Sequence, residues 1–214
     1  DAASVRYWRE RVRAEYPDAV LLGETWGDAT RMVAEGDQFD CAMNYLFRDT
    51  MVDFFAADRI DAAQLDNRLQ HMLMKYPEAV NHRMYICLGS HDTPRFATEA
   101  GGESWRVKLA MAFQLLFPGS PAIYYGDELG MLGENDPGCR GGMAWETGDE
   151  ALLAWTRELI MLRKAHPAVR EGSYRTLVAK PQSNGFVFER YLHGDRVTAA
   201  FNRGSEPITL DLAD

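Results

Sequence analysis

At 214 residues with 46% hydrophobic side chains, the chain has enough apolar material for one large domain or one and a half. A formal net charge of -9 argues against a nucleic-acid partner, whose electrostatic footprint is basic, and no run approaches the roughly 20 apolar residues of a membrane helix. Cys41, Cys87 and Cys139 are odd in number and far apart, without metal-type spacing, so they read as buried apolar residues rather than as a disulfide framework.

The chain opens on Asp1 rather than Met, which reads as an interior point of a longer protein, and no compartment is fixed, although the cytoplasm is favoured. Val5, Trp8 and Val12 fall on one helical face that ends before Pro17, and Ala19 to Thr25 follows as a strand. A second strand is expected over residues 39–45, then helices over 47–56 and 62–75, closed by Tyr76-Pro77. A third strand, Met84 to Gly89, runs into Ser90-His91-Asp92. Trp105, Leu109, Phe113 and Leu116 then recur at helical spacing up to Gly119, and a fourth strand, Pro121 to Tyr125, leads into Gly126-Asp127-Glu128 and a glycine-rich loop through Gly142. Leu152, Trp155, Leu159 and Leu162 mark a last helix, with Lys164 and His166 suited to its C-terminal end and Pro167 beyond.

Four apolar strands alternating with helices predict a parallel sheet covered on both faces, either doubly wound or part of a (β/α)8 barrel. From residue 171 the pattern changes to two-residue alternation, with a hairpin over Gly185 to His193 and Arg196 to Phe201 around Gly194-Asp195, and a further strand at Ile208-Thr209-Leu210. The expected division is therefore an α/β unit over 1–170 and an incomplete antiparallel unit over 171–214.

Catalytic groups of parallel α/β architectures come from the C-terminal ends of strands. Three strands here end in polar clusters: Gly23-Glu24-Thr25-Trp26, Gly89-Ser90-His91-Asp92 and Gly126-Asp127-Glu128. A carboxylic acid half buried beside an indole resists ionisation and can donate a proton, which suits Glu24, and a second carboxylate on the same rim, Asp92, can stabilise positive charge. Two carboxylates and an aromatic point to glycosidic bond cleavage. Each residue also has an ordinary reading: Glu24 as a loop salt bridge or helix cap, Trp26 as packing, His91 as a satisfied structural histidine. Asp127-Glu128 reads as a hydrogen-bonding pair, and Asn135-Asp136 as a loop turn rather than a cation site.

Leu22-Gly23-Glu24-Thr25-Trp26, Gly36-Asp37-Gln38-Phe39-Asp40 with Met43-Asn44-Tyr45, Leu88 to Arg95, Pro121 to Met131 and Asn135 to Arg140 stand together in order. This set resembles the α-amylase family of glycoside hydrolases, in particular its neopullulanase, cyclomaltodextrinase and maltogenic amylase branch. The resemblance implies the C-terminal half of a (β/α)8 TIM barrel, strands five to eight, followed by the start of a β-sandwich domain. It implies retaining hydrolysis of α-glucosidic bonds in maltodextrins, cyclodextrins, starch or pullulan. By the same resemblance Glu24 matches the acid/base, Asp92 the transition-state-stabilising aspartate and His91 the residue that binds the reacting sugar, while Trp26, Arg95 and Tyr45 match substrate-binding positions.

The family's nucleophile ends a Gly-x-Arg-x-Asp pattern, of which Asp1-Ala2-Ala3 is at most the tail. Asp1 is the candidate, although the stretch from Asp1 to Trp8 is shorter than the family's usual connection. An α-glucan oligosaccharide is the expected partner, and the missing barrel half or a second copy the expected protein contact. No cofactor and no metal ligands are expected in this chain; the resemblance leaves calcium possible in the parent protein, since the family's metal loops lie largely in the absent half. The rivals are a transglycosylase of the same family, a non-catalytic carbohydrate-binding remnant, and a doubly wound protein with a chance match.

Overall fold

The structure, a computed structural model, describes residues 1–209. Helix α1 (Ala2–Glu15) is capped by Asp1, whose carboxylate accepts from the Ser4 N–H at 2.9 Å. Its expected apolar face is weakly used: Val5 and Val12 are half-buried and Trp8 is exposed. Ion pairs hold the helix instead. Arg9 and Arg13 reach Asp40 at 2.9 and 2.8 Å, and Asp40 also accepts from the Leu21 N–H at the start of β1 (Leu22–Gly23).

After α2 (Thr30–Val33) comes β2 (Cys41–Ala42), paired parallel to β1 with Leu22 opposite Cys41. Helix α3 (Tyr45–Met51) is capped by Asn44 and continues as a π-helical turn, Val52–Ala56. Helix α4 (Ala62–Met74) starts from a reciprocal cap between Asp61 and Gln64. Past α5 (Glu78–Asn81) lies β3 (Tyr85–Cys87), joined to the second strand through a parallel bridge between Met43 and Tyr85. Helices α6 (Phe96–Glu99) and α7 (Ser104–Leu116) precede β4 (Ser120–Ala122), which pairs parallel to β3.

Neighbouring strands are thus parallel and in sequence order, β1 to β4, with helices on each connection. A doubly wound sheet reverses its strand order at a switch point, whereas a barrel wall does not. The ladders are shorter than the apolar runs of the sequence: β1 and β4 each have one strand neighbour among the described residues, and Val20 in the first run stays exposed. No helix among the described residues is long and apolar enough to cross a membrane.

Helix α8 (Glu150–Ala165) packs on α7, and α9 (Pro167–Glu171) leads into β5 (Ser173–Ala179), β6 (Gly185–Leu192) and β7 (Asp195–Asn202), an antiparallel sheet in that order. The hairpin turn is one residue earlier than the sequence suggests. Leu192 pairs with Asp195, and His193 and Gly194 take φ of 46° and 91°, the two left-handed positions of a type I′ turn. Ile208 and Thr209 lie outside any strand, and Leu210 is beyond the described residues.

The sheet shares its core with the helices. Phe113 of α7 lies 5.1 Å, centroid to centroid, from both Phe188 and Phe201, and 5.7 Å from Phe55. Arg190 of β6, fully buried, donates to the Leu116 and Gly172 carbonyls at 2.8 Å each, and Arg163 of α8 donates to the Leu115 and Gly119 carbonyls. Two cations therefore satisfy the C-terminal carbonyls of α7, where the helix dipole is negative.

Candidate active site

Glu24, His91 and Asp92 extend from the ends of β1 and β3. One donor atom from each lies within 4.8 Å of the others. Gly23, just before Glu24, packs closely under its neighbours: a Cβ there would stand 2.9 Å from the Met32 methyl and 3.1 Å from the Phe39 ring. Tyr45, buried at the start of α3, brings the second strand into the site. Its hydroxyl donates to Glu24 Oε1 at 3.3 Å and meets Ser90 Oγ at 3.0 Å, and burial pushes its pKa up to about 12. Ser90 accepts in turn from the Asp92 N–H at 3.2 Å.

Trp26 is 58% exposed and stacks on Tyr45, with ring centroids 4.2 Å apart and planes 18° from parallel. The indole consequently does not bury the acid. Glu24 is exposed, so the desolvation that the sequence suggested is not supplied within this chain. What remains is an aromatic ledge beside a carboxylate, a surface suited to a pyranose ring.

Asp92 has two basic side chains beside it. His91 Nε2 is 3.3 Å from one carboxylate oxygen and Arg140 Nη2 is 2.9 Å from the other, while Arg140 Nε and Cys139 Sγ both donate to the His91 carbonyl. The loop around residues 136–140 thus straps the His91-Asp92 turn. Sequence reasoning missed Arg140 because the contact spans 48 residues, although the residue closes the Asn135 to Arg140 motif. A guanidinium on Asp92 also makes Glu24, His91 and Asp92 a poor cation site.

Arg95 requires a correction. Expected to touch substrate, it is fully buried, its guanidinium packed against the neighbouring Tyr124 and Tyr125 rings at 4.8 Å from each centroid. It donates to the Tyr125 carbonyl at 2.7 Å and to Asp127 at 3.1 Å, and its own N–H donates to the Gly133 carbonyl at 2.9 Å. A side chain without exposed surface anchors the loop rather than reading a sugar. Asp1 is committed elsewhere, since its carboxylate caps α1, and it is not one of the three clustered groups.

The sequence profile of the family described as "Alpha amylase, catalytic domain" matches residues 1–154. The chain belongs to the α-amylase family. It is 43% identical over 212 residues to a cyclomaltodextrinase of Geobacillus thermopakistaniensis (strain MAS1), covering 97% of this chain and 36% of that protein. It is 40% identical to neopullulanase 2 of Thermoactinomyces vulgaris, covering 98% of this chain and 36% of that one. A solved cyclomaltodextrinase structure superposes with a TM-score of 0.89 at 39% identity, covering 92% of this chain and 34% of the other. The α-amylase TIM-barrel catalytic fold and the branch suggested by the sequence motifs are both supported, and the small antiparallel sheet stands at the C-terminal side. The chain spans about a third of the length of these relatives.

Proposed function

We propose that this chain forms strands five to eight of the barrel of a retaining glycoside hydrolase acting on α-glucosidic bonds of maltodextrins or cyclodextrins. The juxtaposition of Glu24 with His91 and Asp92 beside the Trp26–Tyr45 ledge carries the proposal. The relatives' names, cyclomaltodextrinase and neopullulanase, support the substrate class.

In this reading a sugar docks against Trp26, and Glu24 protonates the glycosidic oxygen as the bond to C1 breaks. Asp92 and His91 hold hydroxyls of the reacting ring, and Asp92 stabilises the positive charge that develops on it. A carboxylate on the opposite face attacks C1. Glu24, now ionised, then takes a proton from water, which displaces that carboxylate and restores the α configuration. Asp1 is the candidate nucleophile by its place in the sequence pattern, and it serves only if it leaves the cap of α1. Transfer to a sugar hydroxyl in place of water uses the same groups.

The test is made in a full-length protein carrying this chain. Glu24→Gln is expected to lower turnover of unactivated maltodextrin by ~10²–10⁴, the usual worth of a positioned proton donor. With an activated glucoside and azide, Glu24→Ala should yield the α-glucosyl azide and Asp1→Ala the β-glucosyl azide. Turnover within a factor of about ten after Glu24→Gln would remove Glu24 from the role.

A further inference from the structure

Trp105 stands where the helical spacing of α7 predicts a core residue, yet it is 42% exposed. It lines a cavity of about 770 Å³ between the start of α7 and the ends of β6 and β7, together with Asp58, Arg106, Asn184, Asn202 and Gly204. None of these residues belongs to the Glu24 group.

Several contacts fix the walls of the cavity. Arg106 lies over one face of the indole, 4.5 Å from its centroid, and is held by both oxygens of Asp58 at 3.1 and 2.8 Å and by the Phe55 carbonyl at 2.8 Å. Asp58 itself takes the left-handed φ of 53°, a conformation Asp tolerates better than most side chains. Arg203 Nε donates to the Asn184 side-chain oxygen at 3.0 Å, which aims the Asn184 amide. Gly204 lies between the two asparagines, its N–H donating to Asn202 Oδ1 at 2.9 Å, and a Cβ there would stand 3.0 Å from Asn184 Nδ2. Among the described residues the indole N–H of Trp105 and the Asn184 NH2 donate to no protein group.

An exposed indole with Arg106 over one face, next to an Asn184 NH2 that has no protein acceptor, matches the chemistry of a pyranose, while Asp58 and Asn202 are spent on holding the walls. The C–H face of a sugar stacks on an aromatic ring, and its hydroxyls pair with fixed donors and acceptors. The cavity is in the range that holds small ligands. We propose that this is a second, non-catalytic site for an α-glucan chain, separate from the Glu24 cleft. The choice of an α-glucan rests on the reading of that cleft as glucan-cleaving. With one aromatic platform the affinity should be weak, Kd about 1 mM.

The test follows the indole N–H resonances of the 15N-labelled protein during titration with maltoheptaose. The Trp105 resonance is expected to shift, to keep shifting in Trp26→Ala, and to lose its companion backbone shifts at Asn184 and Gly204 in Trp105→Ala, with affinity falling at least about tenfold. Trp105→Phe, which keeps a platform, should retain part of the binding. A silent Trp105 while Trp26 responds would overturn this second site and leave the cleft reading intact. A silent Trp26 beside a responding Trp105 would do the reverse. A Trp105 shift that disappears in Trp26→Ala would reduce the two sites to one and overturn the proposal.

Discussion

Asp127 sits behind the His91-Asp92 turn with one oxygen on Arg95, and burial raises its carboxyl from the ordinary 3.8 to about 7 against the pull of that cation. The direction fixes a pH dependence. Where a folded-state pKa is raised, the folded chain keeps a proton that the unfolded chain releases once the pH passes 3.8, so the stabilisation is complete below that value and is lost as pH climbs toward about 7. Urea denaturation across that window should show stability falling with pH in a component that Asp127→Asn removes. An unchanged slope in Asp127→Asn would show that the carboxylate stays ionised beside Arg95 throughout. At this scale the sequence was readable where chemistry is local. Asp127 stood as a structural hydrogen-bonding group, and Glu24 stood at a strand end beside an aromatic. Burial was not readable. Whether Arg95 reaches solvent depends on Tyr124 and Tyr125, about thirty residues away in the chain, and whether Glu24 is covered depends on Tyr45 drawing the indole aside.

Helix α7 ties the parallel wall to the antiparallel sheet. Its Phe113 packs with Phe47 and Phe55 of the helical layer and with Phe186, Phe188 and Phe201 of the antiparallel sheet. Removing a ring so enclosed leaves a cavity that neighbours from several elements cannot close, and Phe113→Ala should cost about 3–5 kcal/mol. Because both units share that ring, fluorescence from Trp155 on α8 and amide exchange in β6 should report the same urea midpoint, displaced equally by the substitution. Two midpoints, of which only one moves, would mean that the sheet folds as an independent domain from residue 171. The alternation of the hairpin and the helical period of α7 were both legible, since each is a short-range pattern of apolar positions. The shared core was not, because the period marks which residues want burial but not which element supplies it. Trp105 shows the limit in reverse: it obeys the period of α7 and yet faces a polar cavity.

At the scale of the whole chain, four parallel strands in sequence order form a wall whose inner surface is open. Val20 is 72% exposed and Leu22 40%, and both line a cavity of about 430 Å³ with Tyr85 and the Arg13–Asp40 pair. Relatives of which this chain covers about a third carry much more polypeptide. An apolar inner wall and strands with a single neighbour favour pairing with another surface, either the remainder of a barrel or a second copy. The proposed function has a matching requirement, because a retaining glycosidase needs its second carboxylate about 5–5.5 Å from the first, held on a rigid element. Asp1, exposed and spent on a helix cap, is not held that way. The purified 214-residue chain should therefore elute as an associated species in size exclusion with light scattering and leave soluble starch and cyclodextrin uncleaved. Mixing with a separately produced polypeptide that supplies the first four strands should shift the elution to a one-to-one complex and bring back hydrolysis, lost again when Glu24 is Gln. A compact monomer of this chain that hydrolyses starch unaided would place a working nucleophile among the carboxylates assigned structural roles, and Asp127, buried behind the loop it anchors, would be the first to test.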